Sequence, residues 1–138
     1  MPAIIKNKDA EACLRELLEA QGYKLNVPRA RGEAGVDILA IKCDEEWHIE
    51  VIGYKSSGPA RAKDFYEAFF RAVSRLNDDA THCVIALPIQ ARVGLPARAR
   101  QHRVAWTRIS EAFPELEIWL VDVENRDYQR TSWIEWLR

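Results

Sequence analysis

An α/β domain, a mixed β-sheet flanked by helices, is the fold class this chain predicts, on three observations. An amphipathic helical segment opens the chain, and a pair of β-rich apolar runs joined by a short polar turn follows it. Helical and strand-like patterns then alternate toward the C-terminus. With 138 residues of which 48% are apolar, residues 1–138 form one domain with a real core. A chain of that size buries roughly two-thirds of its unfolded surface. It holds no run of about 18 apolar residues of the kind that spans a bilayer. Its first ten residues, MPAIIKNKDA, lack the apolar core and small-residue cleavage site of a signal peptide.

Taken in order, Ala12, Cys13, Leu17 and Leu18 fall on one face of a helix predicted from about Asp9 to Gln21. Asn7 or Asp9 can cap its start, and Gly22 stops it. Tyr23 to Val27 alternates as a strand does, and Pro28 ends it. Arg29 to Gly35 reads as a loop. Val36 to Cys43 and Trp47 to Tyr54 are two strands around the polar Asp44-Glu45-Glu46, an antiparallel hairpin. From about Ala62 to Leu76, the residues Phe65, Ala68, Phe69, Ala72, Val73 and Leu76 share a helical face. His82 to Leu87 is a short buried strand closed by Pro88. A basic helical piece around Pro96 to His102 and strands at Val104–Trp106 and Glu117–Val121 complete the expectation.

Three cysteines, Cys13, Cys43 and Cys83, are widely spaced in apolar surroundings. They read as buried free thiols of a reducing, cytoplasmic protein. The net charge of −1 favours no partner, but its distribution is uneven. No acid lies between Asp79 and Glu111, where Arg92, Arg98, Arg100, Arg103 and Arg108 all fall. A nucleic-acid footprint and a solvated helix face both fit that pattern.

The chemistry concentrates in the hairpin. Asp37 is embedded in Val36-Asp37-Ile38-Leu39-Ala40-Ile41 and Glu50 in His48-Ile49-Glu50-Val51-Ile52. A buried, unpaired carboxylate costs several kcal/mol or takes up a proton. Both costs vanish if the two acids share a divalent cation. A turn centred near Asp44-Glu45 pairs Asp37 with Ile52 and leaves Glu50 one diagonal step away on the same face. Diagonal neighbours lie about 7–8 Å apart, close enough to converge on one ion. Oxygen-only ligation selects Mg2+ or Mn2+ over zinc. An arginine partner for Glu50, or a solvated face, is the competing account.

Gly35-Val36-Asp37-Ile38-Leu39-Ala40 followed by Ile49-Glu50-Val51 resembles the core of the PD-(D/E)xK nucleases, the restriction-endonuclease-like superfamily. The pattern is most similar to Mrr-like enzymes and archaeal Holliday-junction resolvases. Glu11, eleven residues before Gly22-Tyr23, matches the resolvase pattern of a helix glutamate ahead of a glycine-aromatic pair. The resemblance runs from about Glu11 to Leu87. It implies a Mg2+- or Mn2+-dependent endonuclease acting on DNA, with Asp37, Glu50 and the main-chain carbonyl of Val51 as metal ligands. Glu11 becomes the accessory acid, and a homodimer is the expected assembly.

One position departs from the family. The lysine that stands two residues after the second acid is replaced by Ile52. That lysine lowers the pKa of the attacking water and stabilises charge on the phosphate, and isoleucine does neither. Lys55, beyond Gly53, and Lys63, at the start of the next helix, are the candidate substitutes. Arg29, Arg31, Arg61, Arg98 and Arg100 are the candidate phosphate contacts. His48 alternates with Ile49 on the hairpin, a pattern that allows it a solvent-facing position. The C-terminal Trp133, Ile134, Trp136 and Leu137 pack on the core or form a dimer contact. The alternative to a nuclease is a catalytically inactive module of the same fold that binds DNA or protein.

Overall fold

The computed structural model describes residues 4–30 and 35–138. Six strands form one mixed sheet whose spatial order follows the chain. Helix α1 (Asn7–Ala20) leads into β1 (Lys24–Leu25), β2 (Ile38–Lys42) and β3 (Glu45–Val51), an antiparallel meander. Helix α2 (Gly58–Ser74) then crosses to β4 (His82–Pro88), which is parallel to β3. Helices α3 (Leu95–Gln101) and α4 (Arg103–Ala112) lead to β5 (Leu116–Asp122), parallel to β4, and β6 (Asp127–Ser132) closes the far edge antiparallel. The class read from the sequence is the class observed.

The sheet buries both faces. Ala10, Cys13, Leu14 and Leu18 of α1 pack on Ile38, Ala40, Ile49, Val51, Val84 and Trp119. On the opposite face Phe65, Ala68 and Ala72 of α2, with Leu95, Ala99 and Trp106, cover Ile52, Ile85, Leu87 and Ile118. Strand residues of one parity therefore serve α1 and those of the other serve α2. Trp133 and Trp136 join this second layer, so the apolar C-terminus packs on the chain's own core. Trp106 and Trp133 stack at 3.8 Å, and each indole N–H donates to the other residue's carbonyl, at 2.8 and 2.9 Å.

Several boundaries differ from expectation. Asn7 does not cap α1; its Oδ1 accepts from the N–H of Gly53 at 2.7 Å. The strand expected over Tyr23–Val27 contracts to two residues, because Asn26 pairs with Leu39 through its own side chain, accepting from the Leu39 N–H at 2.9 Å. Val104–Trp106 is helical, part of α4. Trp106 is buried and Ile109 packs against the same layer, while Val104 is exposed, a spacing that a helix and not a strand supports. β6 was not expected, since Asp127-Tyr128-Gln129-Arg130-Thr131-Ser132 carries no apolar alternation. It is an edge strand that buries only Thr131. Cys43 is exposed in the hairpin turn, whereas Cys13 and Cys83 are buried.

Gly53 marks a point of close approach. Ile5 and Tyr54 exchange backbone hydrogen bonds at 3.1 and 2.8 Å, which draws the N-terminal segment onto the end of β3. A Cβ on Gly53 would lie 2.2 Å from the Ile5 carbonyl oxygen, so only glycine permits that contact.

Candidate functional site

The β2–β3 hairpin turns on Cys43 and Asp44, whose φ angles are 52° and 67°. Two consecutive left-handed residues make the tight turn that matches strand twist. The turn lies one residue earlier than the sequence pattern implied, which moves every cross-strand partner by two. Ile38 pairs with Ile49, and the same register extended by one residue sets Asp37, just before β2, opposite Glu50, with both lining one pocket. The shift is even, so both acids keep the face expected of them, and their diagonal relation becomes a direct one.

Asp37 is held from three sides. Its Oδ2 accepts from the Val51 N–H at 2.8 Å, and its Oδ1 forms an ion pair with Arg29. Its main-chain carbonyl accepts from Arg15 at 2.7 Å. Arg15 is a buried arginine of α1 that also bonds the Asn26 carbonyl at 2.6 Å and Glu11 at 2.9 Å. One guanidinium thus ties α1, the β1 exit and the β2 entry together around the aspartate.

Glu50 is only 2% exposed, and its Oε1 accepts from Arg75 Nε at 3.2 Å. Burial pushes its pKa up to about 7, and the Asp37 charge adds to that rise, while Arg75, Arg71 and Arg29 oppose it. Asp37 in turn raises the pKa of Arg29 through their hydrogen bond. The arginine partner named as the competing account for Glu50 is therefore present.

Asp37, Glu50 and Glu11 line one pocket of about 190 Å3, with Arg29, Val51, Ile52, Asp64 and Arg71 in the same wall. Among the described residues, no three His, Cys, Asp or Glu side chains form a group able to hold a metal ion by themselves. Magnesium keeps several waters and takes one or two carboxylates, so an opposed pair such as Asp37 and Glu50 is a donor set that suits it. An added positive charge there would also favour the ionised form of Glu50, whose pKa burial has raised. Arg29 occupies the Asp37 oxygen such an ion would use.

The basic candidates are distributed unevenly. Ile52 lines the pocket, 7% exposed, and brings no charge to the lysine position. Lys55 is bound to Asp64 at 3.0 Å, and Asp64 belongs to the pocket wall. Lys63 is 76% exposed, 3.9 Å from Glu67 on the same helix and outside the lining. Arg61 and Arg98 line a neighbouring pocket instead, and Arg100 is exposed on α3. Arg31 lies outside the described residues. His48 does not face solvent; it is buried beneath the α2 side of β3, with Nε2 3.6 Å from Glu46.

Asn7, read from the sequence only as a helix cap, and Arg15, Asp64, Arg71 and Arg75, which the sequence did not single out, complete the surroundings of the two acids. A signal for three of them exists. Asp64, Arg71 and Arg75 recur at i, i+7 and i+11, a polar stripe along α2 and its C-terminal cap beside the apolar face. Compared with known protein families, curated proteins and solved structures, the chain matches none.

Proposed function

We propose that this chain is a metal-dependent nuclease of restriction-endonuclease-like fold that hydrolyses DNA phosphodiester bonds. Asp37 and Glu50 hold Mg2+ or Mn2+, and Glu11 supports them from α1. The observation that carries this reading is the direct opposition of two carboxylates in one small pocket. There burial, with the Asp37 charge adding to it, pushes Glu50 up to about 7 against the opposing pull of Arg75, Arg71 and Arg29. The element order α1, three antiparallel strands, α2 and a parallel β4 also fits the resemblance read from the sequence.

A bound divalent ion supplies Lewis-acid charge and a water of lowered pKa. The chain's own residues do the rest. Arg29 and Arg71 face the same pocket and can hold phosphate oxygens by charge-assisted hydrogen bonds. Lys55, anchored to the pocket wall through Asp64, is the amine that stands in for the lysine missing at Ile52. Lys63, turned to solvent beside Glu67, takes a backbone-contact role at most.

Cleavage of plasmid, branched and single-stranded DNA, with Mg2+ or Mn2+, tests the reading when Asp37→Ala is run alongside. Activity that the substitution abolishes is the expected result. Activity that survives it removes Asp37 and Glu50 from the chemistry. Calorimetric Mg2+ or Mn2+ binding lost in Glu50→Gln is the matching expectation for the metal.

A second reading has its own observation. Arg29 and Arg75 already neutralise the two acids, and Ile52 leaves the lysine position apolar, as in a module that keeps the fold without cutting. Retained DNA binding with no cleavage of any substrate would select it.

A further inference from the structure

A second pocket, of about 320 Å3, lies beside the first, and Ile52 lines both. Its volume is at the lower end of the range found for small-ligand sites. Phe65, Leu87 and Leu95 give it an apolar lining, and Arg61 and Arg98 stand in its wall. Among the described residues, no acidic one lines it. Among the described residues, neither arginine enters an ion pair.

Both guanidinium groups are fixed in place by neutral partners. Arg61 lies 4.6 Å over the Tyr54 ring and donates to the Lys55 carbonyl at 2.8 Å. Arg98 lies 5.2 Å from the Phe65 ring and donates to the Tyr66 hydroxyl at 3.2 Å. No ion pair among the described residues compensates their charge, and these contacts restrain them before any ligand arrives, which lowers the entropic cost of binding an anion. Gly94 adds bare wall. Its backbone is ordinary right-handed helix, and a Cβ there would meet nothing within 4 Å, so the fold does not require glycine at that position.

We propose that this pocket takes one unpaired nucleotide of the DNA strand, its base among Phe65, Leu87 and Leu95 and its phosphate against Arg61 and Arg98. The proposal rests on the reading that a strand passes Asp37 and Glu50, whose pocket shares Ile52 as a lining residue with this one. The guanidinium planes of Arg61 and Arg98, backed by Tyr54 and Phe65 and set beside an apolar lining, match both halves of a nucleotide: a guanidinium face can stack on any base and the charge meets the phosphate. A base stacked inside a duplex cannot enter, so the pocket selects single-stranded, branched or flipped-out positions.

The test uses the full chain without divalent metal, so that binding is read apart from cleavage. Fluorescence anisotropy compares a labelled single-stranded oligonucleotide of about 10 nucleotides, within the usual site sizes, with the same strand made abasic at its centre. Stacking of one base corresponds to about a tenfold loss of affinity for the abasic strand. Arg61→Gln, Arg98→Gln and Gly94→Trp should each weaken the base-containing strand and narrow its advantage over the abasic one. Gly94→Trp keeps both arginines and fills space, so it separates shape from charge, and circular dichroism checks that each variant folds. Equal affinity for the two strands overturns the proposal, as does displacement by inorganic phosphate as effective as by thymidine monophosphate. A chain that prefers the base-containing strand and never cuts loses the nuclease reading alone. One that cuts yet ignores the base loses only this pocket.

Discussion

The main-chain N–H of Val51 donates to Oδ2 of Asp37 at 2.8 Å, so the acid that precedes β2 is tied to the last residue of β3. Val51 is 4% exposed, and water cannot readily replace that acceptor. Asp37→Ala should therefore destabilise the chain by about 1–3 kcal/mol, the usual consequence of orphaning a buried donor. Asp37→Asn keeps an acceptor and loses the charge, and should fall between wild type and Ala. Urea unfolding of the three proteins checks the order. An Asn variant as unstable as Ala would mean that the Arg29 ion pair, and not the Val51 bond, does the holding.

Glu50 gives the chain a stability that depends on pH in an unusual direction for a carboxylate. Its folded pKa of about 7 stands above its ordinary 4.5. Between those values the native state keeps a proton that the unfolded chain has released, so stability falls as pH rises through that window and levels off above it. The gap corresponds to on the order of 3 kcal/mol. Glu50→Gln has no proton to lose. Its stability relative to wild type should improve from about pH 4.5 to about pH 7 and level off toward pH 8 in denaturant titrations. A difference that stays flat across that range would show that Glu50 ionises as an ordinary carboxylate.

Divalent metal should act on the same group. If Asp37 and Glu50 hold Mg2+, the ion binds the ionised form and stabilises the native state, more at pH 8 than at pH 5. Thermal melts with and without Mg2+ read this directly, and Glu50→Gln should abolish the pH-dependent part. An equal rise in wild type and variant would place the ion elsewhere.

Ile52 is the position where a single change should raise activity. It lines the pocket of Asp37 and Glu50, and Ile52→Lys would bring an amine into that wall. Burying it costs stability, since Ile52 packs with Phe65 and Leu87. DNA cleavage by Ile52→Lys above the wild-type rate, despite a lower melting temperature, is the expected outcome. A folded Ile52→Lys protein with no gain would mean that Lys55 already fills the role or that the scaffold does not support catalysis.

The thiols offer a test of the hairpin turn. Cys43 is exposed at a left-handed position of that turn, while Cys13 and Cys83 are buried, with the Cys83 thiol pushed up to about 11 by its surroundings. A thiol reagent should modify one cysteine rapidly in the native protein and all three in denaturant. Two fast thiols would contradict the packing of α1 or β4.

Much of the fold was legible because its signals are local. The α1 and α2 faces follow from helical periodicity, and the β2, β3, β4 and β5 runs from apolar composition bounded by turn residues. Where periodicity is weak the reading fails. β6 is polar because an edge strand buries one face lightly, and Val104–Trp106 resembles a strand until Trp106 is seen to anchor a helix. The two acids were visible because charge inside an apolar strand is anomalous wherever it occurs.

By itself, then, the sequence determined strands β2 to β5, helices α1 and α2 and the shared face of Asp37 and Glu50, since each depends on spacing within a few residues. Tertiary structure decided the rest. The left-handed pair Cys43-Asp44 moved the turn by one residue and set the acids directly opposite each other. Packing of α2 on the sheet brought Arg75 to Glu50 from 25 residues away, and Arg15 reached the Asp37 carbonyl across 22. Those partners, and the desolvation that holds Glu50 near neutral pH, arise from contacts between elements, which no local pattern encodes.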